Sequence, residues 1–274
     1  MDAKQLKNKA NELRIVALEA IYKAQTGHIG GDFSVIDILT CLYNGVMNVS
    51  PERVDDPDRD RFVLSKGHSV EAFYAVLADR GYFPTEEFIN TFSQFGSKFI
   101  GHPNNELPGI EMNTGSLGHG LPVGVGMALA AKLDKKDYRV YVVCGDGELA
   151  EGSVWEGFQS GAHFGLDNLI CVIDRNRLQI SGDTEDVMAS GDVGAKLKVY
   201  GWDVVDVEDG NDPAQLMAAF EHCKERNGKP HAIVAHTVKG CGVSFIENQA
   251  GWHHHVPNKE QYEKALAELK GQVA

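Results

Sequence analysis

Residues 139–177 read RVYVVCGDGELAEGSVWEGFQSGAHFGLDNLICVIDRNR and alternate between two kinds of pattern. Residues 139–144 and 168–173 are continuous apolar runs, which are typical of strands buried on both faces. Residues 151–164 between them have the spacing of a helix. A buried strand, a helix and a second buried strand in this order predict part of a parallel sheet that is covered by helices on both faces.

The same alternation continues on both sides of this unit. Helices are predicted at 6–21, 34–45, 70–80, 85–92, 121–133, 151–164, 191–200, 212–226 and 257–274, and further strands at 61–65, 202–207 and 231–235. We therefore predict an α/β fold with a doubly wound, mostly parallel sheet in one domain, residues 1–274. In such sheets, ligands bind beyond the carboxyl ends of the strands.

Composition excludes several classes of partner. The 274 residues include 26 basic and 39 acidic side chains, a net charge of −13, and no basic cluster that would hold a nucleic acid or an anionic membrane. Neither a membrane-spanning apolar run nor a signal-peptide core is present, so a cytosolic location is expected. The five cysteines are scattered and contain no C-x-x-C pair, so neither a disulfide framework nor a thiolate zinc site is expected.

Oxygen-bearing side chains follow both strands of the central unit. Gly145-Asp146-Gly147-Glu148 follows the first strand, and Asn176 follows the second. A carboxylate and an amide at neighbouring strand ends, with a backbone carbonyl and a diphosphate, would complete the octahedral oxygen shell that Mg²⁺ prefers. The alternative is that Gly-Asp-Gly is only a strand-to-helix turn, in which these residue types are common. The matching asparagine favours the metal site.

Six segments in the same order resemble the motifs of the transketolase family, and together they cover nearly the whole chain. The thiamine diphosphate signature is matched by residues 145–184, and the closing cofactor motif by HTVKGCGVSFIEN (236–248) with WHHHVPN (252–258). The histidine motifs and the glycine turn are matched by TGHIGG (26–31), FVLSKGHS (62–69), His102-Pro103 and GSLGHGL (115–121).

The resemblance implies a site that binds thiamine diphosphate and Mg²⁺ (or another divalent cation). Asp146, Asn176 and the Leu178 carbonyl would bind the metal. The implied cofactor contacts are His28, His68, Gly115, Ser116, Leu117, Gly147, Glu148, Asn176, Lys239 and His253. His28, His102 and His253 would be the catalytic residues, with His28 and His102 facing both cofactor and sugar. Glu151 and Glu156 match the acidic residues at the family's subunit interface.

Three positions depart from the family pattern. Arg175 stands where an asparagine is common, His119 where a glutamine is common, and His254 where a glycine follows the last histidine. The third departure leaves open which of the three consecutive histidines, 253 to 255, contacts the cofactor.

The histidines and glycines also allow other interpretations. His28, His68 and His102 each follow a glycine in a turn-rich segment, which favours ligand contact, whereas His163, His222 and His236 are assigned to ordinary structural roles. Zinc is disfavoured at 253–255, because adjacent side chains of an extended segment point to opposite faces. Residues 118–124 miss the G-x-G-x-x-G spacing and follow a loop, so a nicotinamide cofactor is disfavoured.

The resemblance implies transfer of a two-carbon ketol unit from a ketose phosphate to an aldose phosphate. Transketolases also need a pyrimidine-binding domain, for which 274 residues leave no room. We therefore expect a transketolase N-terminal subunit that works with a C-terminal subunit carrying that domain, in a heterotetramer with two copies of each chain. The alternatives are a fragment of another thiamine diphosphate enzyme, such as a deoxyxylulose-phosphate synthase or a ketol transferase for an unusual sugar, and a non-catalytic cofactor-binding module.

Overall fold

A computed structural model describes residues 1–273, and its main sheet has five strands. The strands are β1 (Arg61–Leu64), β2 (Val140–Gly145), β3 (Leu169–Asp174), β6 (Asp203–Val207) and β7 (His231–Ala235). Their spatial order is β1-β2-β3-β7-β6, and every neighbouring pair is parallel. The predicted α/β class with a parallel sheet is therefore confirmed.

Helices cover both faces of this sheet. They are α1 (Ala3–Ala24), α2 (Ile29–Cys41), α3 (Val70–Asp79), α4 (Thr85–Thr91), α5 (Gly120–Leu133), α6 (Gly152–His163), α7 (Thr184–Met188), α8 (Val193–Val199), α9 (Pro213–His222) and α10 (Lys259–Lys270). A small antiparallel hairpin, β4 (Leu178–Gln179) with β5 (Gly182–Asp183), precedes α7. Within residues 1–273, no helix combines the length and the apolar character needed to cross a membrane.

Two apolar cores lie on opposite faces of the sheet because successive strand side chains point in opposite directions. On β2, Tyr141 and Val143 belong to the core under α1 to α4, whereas Val140, Val142 and Cys144 belong to the core under α5, α6 and α8. All six residues of β2 and all six of β3 are buried. This double burial explains why both strands read as continuous apolar runs.

The helix predicted at 34–45 is the largest boundary error. It begins at Ile29 and ends at Cys41, with a π-helical turn over Leu42–Val46. Gly30 and Gly31 lie in the first turn of α2, although glycine is more typical of the residue that follows a helix. A Cβ on Gly30 would lie 2.7 Å from the Trp252 carbonyl, and one on Gly31 would lie 2.8 Å from Ser69 Oγ. These glycines permit close packing at the start of the helix rather than ending one.

Candidate active site

A cavity of about 560 Å³ lies beyond the carboxyl ends of β2 and β3. The last residues of these strands, Gly145 and Asp174, are direct neighbours in the sheet register. The cavity therefore occupies the edge at which parallel sheets of this class bind ligands.

Twelve of the residues implied by the resemblance line this cavity. They are His28, His68, His102, Gly115, Leu117, Asp146, Gly147, Glu148, Asn176, Leu178, Lys239 and His253. Ser116 is exposed in the glycine turn, with its hydroxyl 3.4 Å from His119 Nδ1. Glu151 and Glu156 are exposed at and near the start of α6, outside the cavity lining.

The three oxygen donors of the implied metal site come from two neighbouring strand ends. Asp146 is 4% exposed, and its carboxylate accepts hydrogen bonds from the amides of Gly147 (2.8 Å) and Arg177 (2.6 Å). Asn176 Oδ1 accepts from the amide of Leu178 at 3.1 Å, and its Nδ2 donates to Ser34 Oγ at 3.2 Å. Backbone contacts therefore orient both side chains before any ligand binds.

This donor set fits a hard divalent cation. A carboxylate oxygen has two lone pairs, so one amide contact on each Asp146 oxygen leaves capacity for a metal. Burial, with the nearby charge of Asp174, raises the pKa of Asp146 to about 6. A cation beside this carboxylate would offset the cost of burying its charge.

Four histidines from four separate segments meet in the cavity. The ring of His28 lies 5.4 Å from that of His68, 6.4 Å from that of His102 and 5.7 Å from that of His253, measured between centroids. Burial, with neighbouring positive charges, lowers the pKa of His28 to about 4 and that of His253 to about 3. It also lowers the pKa of His68 and His102. All four imidazoles are therefore uncharged at neutral pH.

His28 has one ring nitrogen ready for a ligand. Its buried Nδ1 has no hydrogen-bond partner among the described residues. A buried polar atom without a partner costs free energy, which a ligand hydroxyl or amine would recover. The backbone amide of His28 is held by Glu71 Oε1 at 3.1 Å.

A pair of buried carboxyl groups, Asp32 and Glu71, lies next to His28. Asp32 and Glu71 are both fully buried, and burial raises the pKa of Glu71 well above its ordinary range and that of Asp32 to about 7. Two carboxyls this close share a proton rather than both ionise. Neither residue was predicted as part of the site, because an acidic residue in a helix ordinarily faces solvent.

Lys239 bridges the metal-site loop and the last histidine motif. Its side chain is buried, and Nζ donates to the Leu178 carbonyl at 2.9 Å and contacts His253 Nδ1 at 2.8 Å. Burial, with the charge of Lys66, lowers the pKa of Lys239 to about 8. An ammonium group aimed at this cavity suits a ligand that carries phosphate charges.

A second lysine, Lys66, lies at the floor of the cavity lining, although it was not predicted as a site residue. Lys66 forms an ion pair with Asp174, and their side chains are 2% and 0% exposed. Asp174 also accepts hydrogen bonds from the hydroxyls of Ser34 (2.6 Å) and Thr237. Lys66 directly precedes Gly67-His68, so its place in that motif was the signal available in the sequence.

Glu148 holds the loops around the cavity in place through hydrogen bonds. Oε1 accepts from the amide of Gly118 at 2.8 Å and from the Ser65 hydroxyl, and Oε2 accepts from the amide of Gly145 at 3.0 Å. Burial raises the pKa of this carboxyl. Although Glu148 lines the cavity, both of its oxygens are therefore engaged with protein donors.

Two glycines form a cradle that a larger residue would fill. Gly115 has φ +131°, and a Cβ there would lie 2.5 Å from His102 Cδ2. A Cβ on Gly147 would lie 2.9 Å from Gln179 Oε1. Both glycines line the cavity, and neither position has room for a side chain. Glycine turns of this kind allow a diphosphate to approach backbone amides.

The three departures from the family motifs occupy distinct places. Arg175 is buried and bonds Glu185 and Ser190, so it ties the segment around α7 to the end of β3. His119 is exposed in the glycine turn. Of the three consecutive histidines, only His253 lines the main cavity; His254 packs on His28 with ring centroids 4.6 Å apart, and His255 packs on Trp252.

Comparison with known proteins gives matches along nearly the whole chain. The family model described as transketolase, thiamine diphosphate binding domain, matches residues 5–270. A relative from Phocaeicola vulgatus, named as one subunit of an apulose-4-phosphate transketolase, is 49% identical over 98% of this chain and 94% of its own length. A protein of the same name from Actinobacillus succinogenes is 44% identical over 98% of this chain and 96% of its own.

The solved structures give the same fold. Transketolase from Campylobacter jejuni superposes with a TM-score of 0.93 at 31% identity over 98% of this chain. This chain spans 43% of the length of that structure, so it corresponds to less than half of a one-chain transketolase.

Proposed function

We propose that this chain is the cofactor-binding subunit of a two-subunit transketolase, because it belongs to the transketolase family and matches that family's thiamine diphosphate-binding domain. The observation that carries the proposal is the cavity at the ends of β2 and β3, where oxygen donors, neutral imidazoles and close glycine turns converge. The two relatives that are named as transketolase subunits match this chain over almost their whole length, which supports an enzyme built from two kinds of chain.

The residues present fit both thiamine diphosphate and Mg²⁺. Asp146, Asn176 and the Leu178 carbonyl would bind the metal through hard oxygen atoms. Lys239 would bind the diphosphate, since its ammonium group lines the cavity beside the metal-site loop. His68, Gly115, Ser116, Leu117, Gly147 and His253 would line the cofactor, with Glu148 holding the glycine turn in place.

When bound, thiamine diphosphate supplies a nucleophilic thiazolium carbon and an electron sink for cleavage of a ketose carbon–carbon bond. The chain itself contributes binding and proton positions. His28 and His102 would bind sugar hydroxyls, because a neutral imidazole both donates and accepts a hydrogen bond. His28 Nδ1 is the buried, unpartnered atom in this group within residues 1–273, so it is our choice for the proton-transferring nitrogen.

The second subunit would carry the pyrimidine-binding domain and close the cavity. Ile180, Val187 and Met188 line the cavity yet are 76%, 41% and 65% exposed. Exposed apolar side chains at the rim of a ligand cavity are typical of a surface that a partner covers. Glu151 and Glu156, which are both exposed, would contribute to the subunit interface of a heterotetramer with two copies of each chain. We keep the cytosolic location as a prediction.

For the donor substrate we propose a branched ketose phosphate of the apulose 4-phosphate type. Both relatives with 44% and 49% identity carry that substrate in their names. Xylulose 5-phosphate, the corresponding straight-chain ketose phosphate, is the discriminating alternative. The acceptor would be an aldose phosphate, as the family chemistry implies.

Reconstitution tests the proposal. The chain is mixed with the purified C-terminal subunit, thiamine diphosphate, Mg²⁺ and an aldose phosphate acceptor, and ketol transfer to that acceptor is followed with each donor in turn. We expect no transfer by either chain on its own, transfer by the mixture, and a higher kcat/KM with apulose 4-phosphate than with xylulose 5-phosphate. Full activity of this chain on its own would refute the need for a second subunit, whereas preference for xylulose 5-phosphate would refute only the substrate.

A further inference from the structure

A second cluster of ligating side chains lies at the opposite edge of the sheet. Asp203 and His231 are the first residues of β6 and β7 and are direct neighbours in the register, and His222 is the last residue of α9. Four steps of a five-residue strand cover about 13 Å, so this amino-end edge is well separated from the cavity. The cluster has no part in the proposed transketolase chemistry.

His231 presents an unpartnered nitrogen to this cluster. Its side chain is 0% exposed, and its Nε2 lies 2.8 Å from the Glu225 carbonyl. A carbonyl only accepts hydrogen bonds, so Nε2 carries the hydrogen and Nδ1 of the neutral ring carries a lone pair. Nδ1 has no hydrogen-bond partner among residues 1–273 and lies 3.6 Å from Asp203 Oδ2. The lone pair of a buried ring nitrogen therefore faces the carboxylate of Asp203.

The remaining groups complete a compact donor set. His222 Nε2 lies 3.2 Å from both carboxylate oxygens of Asp203, and one ligand atom from each of the three residues lies within 4.8 Å of the others. Tetrahedral zinc with bonds near 2.1 Å would separate its ligand atoms by about 3.4 Å. The distances of 3.2 and 3.6 Å at Asp203 Oδ2 lie on either side of that value.

Neighbouring residues already orient these ligands. Asn227 Nδ2 donates to Asp203 Oδ2 at 2.7 Å, and the Glu225 carbonyl fixes the ring of His231. Such outer contacts are what metal-binding histidines and carboxylates use to hold their geometry.

We propose that Asp203, His222 and His231 bind one divalent transition-metal ion of the zinc class, with water in the fourth position. Two imidazoles and one carboxylate are a donor set for zinc rather than for Mg²⁺. His222 is 44% exposed, which leaves a solvent-facing side for the water ligand. The ion would join the starts of β6 and β7 to the end of α9.

Cobalt titration of the full chain tests this site. Tetrahedral Co²⁺ absorbs visible light, so we expect a d–d band that saturates at one equivalent and is removed by Zn²⁺. His222→Ala should weaken Co²⁺ binding at least tenfold; His222 is exposed, and circular dichroism will check that the variant folds. A band that survives unchanged in His222→Ala, or the absence of a band in the wild type, would overturn the proposal.

Two control variants locate the ion. His236, the residue directly after β7, pairs with Asp206 of β6 at 2.7 Å but is not part of the three-residue cluster, so His236→Ala should keep the band. Asp146→Asn, which removes the carboxylate of the cavity's metal site, should also keep the band; loss of the band in that variant would place the metal in the cavity and refute the proposed site. As a second readout, Zn²⁺ at a hundredfold excess over Kd should raise the melting temperature by about 5 °C in the wild type but not in His222→Ala.

Discussion

Lys66→Met removes the cation from a buried ion pair beneath the cavity. Asp174 would stay in place with only the hydroxyls of Ser34 and Thr237 as donors. Removing one partner of a buried pair costs about 3–5 kcal/mol, because the other charge is left uncompensated. For a chain of 274 residues, the unfolding entropy is about 0.6 kcal/mol/K. The melting temperature should therefore fall by roughly 5–9 °C.

The assay is thermal denaturation at neutral pH without cofactor, followed by circular dichroism. Lys136→Met is the matched control, because Lys136 pairs with Asp58 at the protein surface and its loss should leave the melting temperature unchanged within error. Adding Asp174→Asn to Lys66→Met should recover part of the loss, since the uncompensated charge is removed while a hydrogen-bond acceptor stays. A Lys66→Met variant that melts within about 2 °C of the wild type would refute the reasoning.

Three further outcomes are expected at the cavity. Asp146→Asn should abolish Mg²⁺-dependent binding of thiamine diphosphate to the two-subunit complex in calorimetry, while Asp55→Asn at the surface should not; normal binding by the first variant would exclude Asp146 as a ligand. Gly115→Ala should weaken cofactor binding at least tenfold, because its Cβ would lie 2.5 Å from the imidazole of His102. Gly101→Ala, whose Cβ would have no atom within 4 Å, should bind the cofactor normally, and equal affinities of the two variants would refute the cradle. Because the pKa of His28 is lowered to about 4, the unfolded chain binds a proton between pH 6.5 and 4 that the folded chain does not, so stability falls as the pH falls through this window. The melting temperature of His28→Gln should therefore fall less than that of the wild type between pH 7.5 and 4.5. Equal decreases in the two proteins would contradict this pKa.

The sheet could be predicted because strands that are buried on both faces consist of continuous apolar residues. The bounds of β2 and β3 were predicted to within one residue, since every position before the last one in each strand is apolar. The hairpin β4–β5 and helix α7 were not found, because short elements have little periodicity of their own. Arg175, which bonds Glu185 and Ser190, stabilises that segment through tertiary contacts that no local pattern reveals.

At the site, motif order located the residues, and packing decided what each one contacts. The family resemblance is confirmed, while the individual roles of the site residues and the single-domain assignment over 1–274 stay predictions. Lys66 and Asp174 could not be paired from the sequence, since 107 residues separate them. Likewise, only the fold separates His253 in the cavity from His255 on Trp252.

The strand order has a consequence for how the chain folds during synthesis. β7 lies between β3 and β6 in the sheet, although it is made last of the five strands. β6 therefore has no neighbour to pair with until residue 235 has left the ribosome, and one edge of β3 stays unpaired until the same point. Unpaired edges of this kind are where chains associate wrongly. A nascent chain that stalls before residue 231 should accordingly be a substrate for chaperones, whereas one released after residue 240 should close its sheet.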